Sequence, residues 1–242
     1  MKLFLPKQHG AWAMLIIPYW LGVIDGGFMW KHIPFFIGWL LLYLGTYPLL
    51  LLFKRKKIRY YTKWTLFYMI PALMLFLIPL MERPSIIYFG LLMLPFFMIN
   101  AYYTSKNQDR AFMNDLSAVF AFSMAGLASS YLTHGLIDIQ TFVFIFLTSV
   151  LFFVGCTFYV KTMIREKKNK QFKWISWCYH IVLVLFCFGA GVWIVALAFI
   201  PSLLRAIILY GKPLSPKQIG IYEIINSALF FTIAAYQIVL LT

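Results

Sequence analysis

The sequence predicts an all-α fold, a polytopic bundle of about nine transmembrane helices with its N-terminus in the cytoplasm and its C-terminus outside. Three observations carry this prediction. The 242 residues are 63% hydrophobic and only 12% charged, whereas a soluble domain has roughly a quarter of its residues charged. The apolar residues are gathered in separate runs close to the roughly 20 residues needed to cross a hydrocarbon core. Finally, 19 of the 21 lysines and arginines fall in alternate connections between those runs, which is the positive-inside pattern of a multi-spanning membrane protein.

The first span, 11–29, follows Lys2 and Lys7. No small-x-small cleavage site comes after it and the hydrophobicity simply continues, so it is expected to remain as an uncleaved span. The second, 34–53, ends at the basic run Lys54-Arg55-Lys56-Lys57. The third, 65–81, starts after Lys63 and stops at Glu82-Arg83-Pro84. The fourth and fifth, 85–103 and 116–133, flank a polar connection, and His134-Gly135 closes the fifth. The sixth, 140–160, is apolar up to Tyr159, Lys161 and Arg165. The seventh and eighth, 174–188 and 191–210, are separated only by Gly189-Ala190-Gly191. That tight turn is the least defined break, because a single re-entrant unit there would send the C-terminus to the other side. The ninth, 217–240, opens on Ser215-Pro216-Lys217-Gln218, with Ser as N-cap, Pro at the first helical position and Gln completing a capping box.

With every connection short, residues 1–242 are expected to form one transmembrane domain without a soluble one. Trp30, Trp64, Trp174 and Trp177 lie near the ends of apolar runs and suit the headgroup level. Cys156, Cys178 and Cys187 lack disulfide or zinc spacing and are read as small packing residues, and no metal centre is expected. A net charge of +14 would suggest nucleic acid in a soluble protein. Here the basic residues are juxtamembrane, so no nucleic-acid partner is expected, and the basic loops would touch anionic lipid headgroups.

Candidate functional residues are the polar groups that topology alone does not explain. Glu223 lies about seven residues into the ninth span, roughly 10 Å at 1.5 Å per residue, and Arg205 lies at a similar depth below the end of the eighth. The two can meet, either as a lock on the hairpin or as a charged cavity wall. Tyr159, Lys161 and Arg165 end the sixth span, the last two sharing a helix face. His180 lies about six residues into the seventh. Asn100, Arg110, Asn114 and Asp115 belong to the polar connection before the fifth span, His9 lies at the water boundary of the first, and Lys217 opens the ninth. On the predicted topology all are on the cytoplasmic side. A cavity rich in Lys, Arg and His there would suit an anionic headgroup, phosphate or diphosphate.

The segments Pro6-Lys-Gln-His-Gly-Ala-Trp-Ala-Met14, Asn114-Asp115, Tyr159-Val-Lys-Thr-Met-Ile-Arg165 and Pro216-Lys-Gln-Ile-Gly-Ile-Tyr-Glu223 resemble those of the bacterial YwiC-like membrane proteins over essentially the whole chain. This implies a bacterial plasma membrane and no settled activity. A weaker resemblance is to UbiA-type intramembrane prenyltransferases, nine-helix proteins that bind an isoprenoid diphosphate through magnesium at a cytoplasmic mouth. Helix number and orientation agree with that family, but the Asp-rich motifs do not. The connections after spans two and six read Lys54 to Lys63, without an acid, and Lys161 to Lys173, with only Glu166. Magnesium is therefore implied only by this analogy, since holding it against a diphosphate needs clustered carboxylates.

The expected function is that of a UbiA-like protein in which basic residues hold an isoprenoid or other phosphorylated lipid. The alternatives are a transporter of a small anion or metabolite, and a non-catalytic accessory factor of a respiratory membrane complex. If the chain is an enzyme, it is expected to be an intramembrane prenyl or lipid transferase that lacks the usual Asp-rich magnesium motifs.

Overall fold

The computed structural model describes residues 4–6, 10–55 and 57–241. Among these, the chain forms nine helical rods: α1 (Gly10–Gly26), α2 (His32–Leu52), α3 (Ile58–Glu82), α4 (Ile87–Ser105), α5 (Phe112–His134), α6 (Ile139–Ile164), α7 (Lys170–Gly189), α8 (Trp193–Ile208) and α9 (Pro216–Val239). A single 3-10 turn, Pro84–Ile86, leads into α4. Seven rods are long and apolar enough to cross a membrane. The other two, α1 and α8, are apolar but only 17 and 16 residues long, about 25 Å each.

The break at Gly189-Ala190-Gly191 separates two helices. Gly191 has φ +75°, a left-handed conformation that glycine adopts without a Cβ clash, so the chain reverses there in three residues. The capping box at the start of α9 forms as read from the sequence. Ser215 Oγ accepts from the Gln218 backbone N–H, and the Gln218 side chain accepts from the Ser215 N–H at 2.9 Å. Among the helices that begin earlier than their hydrophobicity suggests are α3, at Ile58 rather than 65, and α5, at Phe112 rather than 116. Hydropathy marks only the part of a helix that meets lipid, and both continue as hydrogen-bonded helix into their polar flanks.

At the centre, α1 packs along α5, and small residues set the distance. A Cβ on Gly22 would stand 2.0 Å from the Gly126 carbonyl oxygen, and one on Gly126 would stand 2.6 Å from the Pro18 carbonyl oxygen. The backbones are therefore nearly in contact. Apolar burial between helices gains little in lipid, so such close packing and interhelical hydrogen bonds hold bundles together. Ser129 Oγ donates to the Tyr19 carbonyl at 2.7 Å, and Ser130 Oγ donates to Asp25 at 2.6 Å. Helix α2 pairs with α3, α4 with α5, α7 with α8, and α8 with α9, while α9 also returns to α1. Helices α5 and α6 are the most enclosed and α4 the least. The exposed side chains of α3, α4, α7 and α9 are large and apolar, for example Phe67, Leu92, Phe186 and Ile225, as a lipid-facing surface requires. Helix α6 contains a π-helical segment, Phe142–Leu147.

Contacts sort the connections into two ends. Lys54 pairs with Asp109 at 2.7 Å, Tyr68 donates to the Phe4 carbonyl at 3.2 Å, and Trp177 donates to the Ala206 carbonyl at 3.0 Å. These bring the start of the chain and the α2–α3, α4–α5, α6–α7 and α8–α9 connections to one end. At the other end, Lys31 pairs with Glu82, and Arg83 donates to the Leu132 and Thr133 carbonyls at 2.9 and 2.8 Å. Among the described residues, Lys31 and Arg83 are the only lysine and arginine at that second end. The charge asymmetry of the sequence is thus an asymmetry of the bundle.

Trp64 is buried, its ring 5.7 Å from that of Tyr68 and 6.1 Å from that of Phe4. It belongs to an aromatic cluster around Phe4. One local expectation is corrected. Cys178 is exposed, whereas Cys156 and Cys187 are buried.

Candidate functional site

Helix α6 divides the candidate residues into two groups. Cys156 and Tyr159 are three residues apart and face α8 and α9, whereas Lys161 and Arg165, four apart, lie roughly 140° to 240° further round the helix and face the start of α5. The two groups therefore lie on different sides of one rod.

The inner group is built on the α8–α9 hairpin. Arg205 Nη1 donates to Glu223 Oε1, and the pair lies inside the bundle with side-chain exposures of 5% and 14%. One turn away, Asn226 Nδ2 donates to Ser202 Oγ at 3.0 Å. In an antiparallel pair, positions 202 and 226, then 205 and 223, fall opposite each other, so these contacts are successive rungs. Helix α6 supplies the other wall. The Tyr159 ring lies against the guanidinium, 4.0 Å from centroid to Cζ, within the range of a cation–π contact. Arg205 Nη2 reaches Cys156 Sγ at 3.9 Å. On α7, His180 is buried, and its Nδ1–H donates to the Ser176 carbonyl at 2.7 Å. In the neutral ring this leaves Nε2 as an acceptor. That nitrogen faces the backbone of α6, where a Cβ on Gly155 would stand 3.1 Å from it.

Three polar atoms of this group have no hydrogen-bond partner among the described residues: Tyr159 Oη, His180 Nε2 and Arg205 Nε. Buried polar groups are satisfied in the great majority of cases, and each exception calls for an explanation.

The second group forms a rim at the basic end. Lys161 Nζ pairs with Asp115 at 2.8 Å and also donates to the Arg110 carbonyl at 2.7 Å. Arg165 Nη1 donates to that same carbonyl at 3.2 Å. Asn114 Nδ2 donates to the Asp109 carbonyl at 2.8 Å, which fixes the loop entering α5, and Lys54 holds the Asp109 carboxylate. Asn100 Nδ2 donates to Ser117 Oγ at 2.8 Å, which ties α4 to α5 below the rim. The Arg165 guanidinium is held below its ordinary pKa first by partial burial and then by the like charge of Arg110, with Asp115 opposing. Arg165 thus lies near the like charge of Arg110 and near Asp115, whose carboxylate Lys161 already holds.

Of the remaining candidates, Lys217 is exposed in the first turn of α9 and joins neither group. His9 lies outside the described residues. The eleven described candidates do not surround a single space. Sequence reasoning also missed Ser202, Asn226 and the Lys54–Asp109 pair. The signal for the first two was present as the repeated spacing 202/205 and 223/226 on either side of one turn.

Three of the carboxylates at the basic end are ion-paired, Asp109 with Lys54, Asp115 with Lys161 and Glu223 with Arg205, and Glu166 accepts from Asn169 Nδ2 at 2.9 Å. No group of three or more His, Cys, Asp or Glu placed to hold a metal occurs among the described residues. The donor set therefore does not fit the magnesium–diphosphate arrangement of the UbiA-type enzymes.

Comparison with known proteins adds the family. A protein of Bacillus subtilis (strain 168) designated uncharacterized protein YwiC is 45% identical over 235 residues, 96% of this chain and 97% of that protein. An uncharacterized protein of Haemophilus influenzae is 38% identical over 231 residues, again covering 96% of this chain and 97% of its own length. No solved structure matches. The family profile described as YwiC-like protein matches residues 5–130, which span α1 to most of α5. With that match and two relatives collinear along nearly their whole length, the chain belongs to the YwiC-like family.

Proposed function

We propose that this protein is a multi-pass plasma-membrane protein whose basic end faces the cytoplasm and holds the headgroup of a phosphorylated, anionic lipid at Arg110, Lys161 and Arg165. The observation that carries this reading is the rim itself. Lys161 pairs with Asp115, Lys161 and Arg165 both reach the backbone carbonyl of Arg110 in the loop before α5, and the Arg110 and Arg165 guanidinium groups lie near enough to repel, which leaves an excess of positive charge where the headgroup layer begins. Arginine pairs bind phosphate bidentately through planar forks, and a bound phosphate would relieve the repulsion between Arg110 and Arg165. The backbone contacts of Lys161 and Arg165 to one carbonyl fix the spacing of the two α6 cations in advance.

Binding is the part of the reading that this geometry supports. A transferase would need the partner substrate beside the same phosphate, and α6 stands between the rim and the inner group. No metal-assisted step is included, because the carboxylates it would use are paired. The exposed rim also suits a lipid that slides in from the bilayer more than a solute that must cross it.

Native mass spectrometry of the protein purified in mild detergent tests this reading. The wild type is expected to retain phosphatidic acid or a polyprenyl phosphate in preference to phosphatidylcholine. Arg110→Ala/Arg165→Ala should lose that preference, with retention falling about tenfold or more for two lost charge-assisted contacts. Equal retention by wild type and double variant would overturn the assignment of the rim.

A further inference from the structure

The inner group is not used by the headgroup reading, and its unpartnered atoms are arranged around one cation. Arginine offers acceptors an end-on edge and a side-on edge, and the side-on edge, Nε with Nη2, is one that grips an oxyanion with two parallel bonds. Glu223 takes Nη1. Nη2 has only the Cys156 sulfur at 3.9 Å, a weak acceptor, and Nε has nothing. The forked edge therefore lacks an oxygen acceptor although Arg205 is buried. Tyr159, whose ring covers the guanidinium, carries a second unsatisfied donor, and it is 1% exposed. An unsatisfied donor inside a membrane bundle is unfavourable by several kcal/mol.

We infer that the Nε/Nη2 edge of Arg205, with the Tyr159 hydroxyl, is an intramembrane site for a small oxyanion, a carboxylate or a phosphate. The Arg205–Glu223 pair is neutral as it stands, so an anion entering it needs a compensating positive charge. The charged and titratable groups facing Arg205 are Cys156 and Tyr159 on α6, His180 on α7 and Glu223 on α9. Glu223 and the bare Nε2 of His180 are the acceptors able to take a proton. The oxyanion therefore binds together with a proton, and binding strengthens as the pH falls. The site lies about two turns inside the basic end and on the other face of α6 from the lipid rim, and it does not depend on that rim.

The test uses the full-length Arg110→Ala/Arg165→Ala protein in nanodiscs of phosphatidylcholine, so that the rim contributes nothing. Calorimetric titration with sodium phosphate or sodium acetate is expected to give one oxyanion per chain. The apparent heat should vary with the ionisation heat of the buffer, as uptake of one proton requires. Tyr159→Phe on the same background should weaken binding about tenfold, the worth of one hydrogen bond to a charged group. That substitution removes a hydroxyl with no partner in the fold, so the Tm should hold and the loss can be assigned to binding. If phosphate and acetate do not bind but phosphatidic acid, added to the nanodisc, is retained in a Tyr159-dependent way, the site is supported and its oxyanion is a lipid headgroup. Absence of all three ligands would overturn the site, as would binding indifferent to Tyr159→Phe. Binding without proton uptake would overturn the coupling.

Discussion

Arg205 and Glu223 are 18 positions apart, and their meeting follows from counting along two helices joined by a short connection. The depth of each was legible in the sequence because helical rise is constant and the Ser215 capping box marks where α9 starts. What surrounds the pair was not legible. The Tyr159 ring over the guanidinium and the Cys156 sulfur beside it depend on the rotation of α6 about its own axis, which depth does not specify. The arrangement has a stability consequence. Glu223→Ala leaves a guanidinium buried without its counter-charge, a loss of about 3–5 kcal/mol for a buried pair. We expect a marked fall in the Tm of the detergent-solubilised protein. Arg205→Met combined with Glu223→Leu should recover much of that fall, since replacing both members removes the uncompensated charge. If the single variant melts like the wild type, the pair is not the hairpin lock that its burial implies.

Helix pairing depends on features that hydropathy does not register. The nine apolar runs and their order were readable, because only a helix can satisfy its own backbone in lipid and each needs about the same length. Which helix lies against which was not, since lipid-facing and protein-facing sides are both apolar in a membrane and the amphipathic signal used for soluble helices is weak. The α1–α5 crossing is set instead by absent side chains: Gly22 and Gly126 let the two backbones touch. Gly22→Val should therefore force α1 off α5 and abolish a folded, monodisperse protein in size-exclusion chromatography. Gly220→Ala is the matched comparison, because a Cβ there meets nothing within 4 Å. Within helix α9 it should be neutral or raise stability by up to about 1 kcal/mol. Similar losses for both would mean that general helix propensity, and not the close approach, explains the sensitivity of Gly22.

Among the described residues the bundle presents one strongly basic end and one nearly free of lysine and arginine, with Phe4 at the first and Leu241 at the second. In a membrane whose cytoplasmic loops retain Lys and Arg, this asymmetry would orient the molecule with the basic end inward, as proposed above. The headgroup rim would then contact the inner leaflet, whose anionic lipids add to the attraction of Arg110, Lys161 and Arg165. The inner oxyanion site would be entered from the cytoplasm. The number of crossings also decides where the C-terminus lies, since two complete crossings by α7 and α8 put it outside, whereas a single crossing made by the two together would put it inside. Reporter fusions separate these cases. Alkaline phosphatase, active only outside the cytoplasm, should be inactive when fused after Lys168 and active when fused after the last residue. Green fluorescent protein should give the opposite pattern. Two fusions reporting the same side would show that α7 and α8 do not each cross, and would move α9, with Glu223, to the inverse orientation. The contacts of Arg205 with Tyr159 and Cys156 on α6, and of Trp177 with Ala206, would then have to be broken, so the fusion result tests the packing of α8 against α6 and α7.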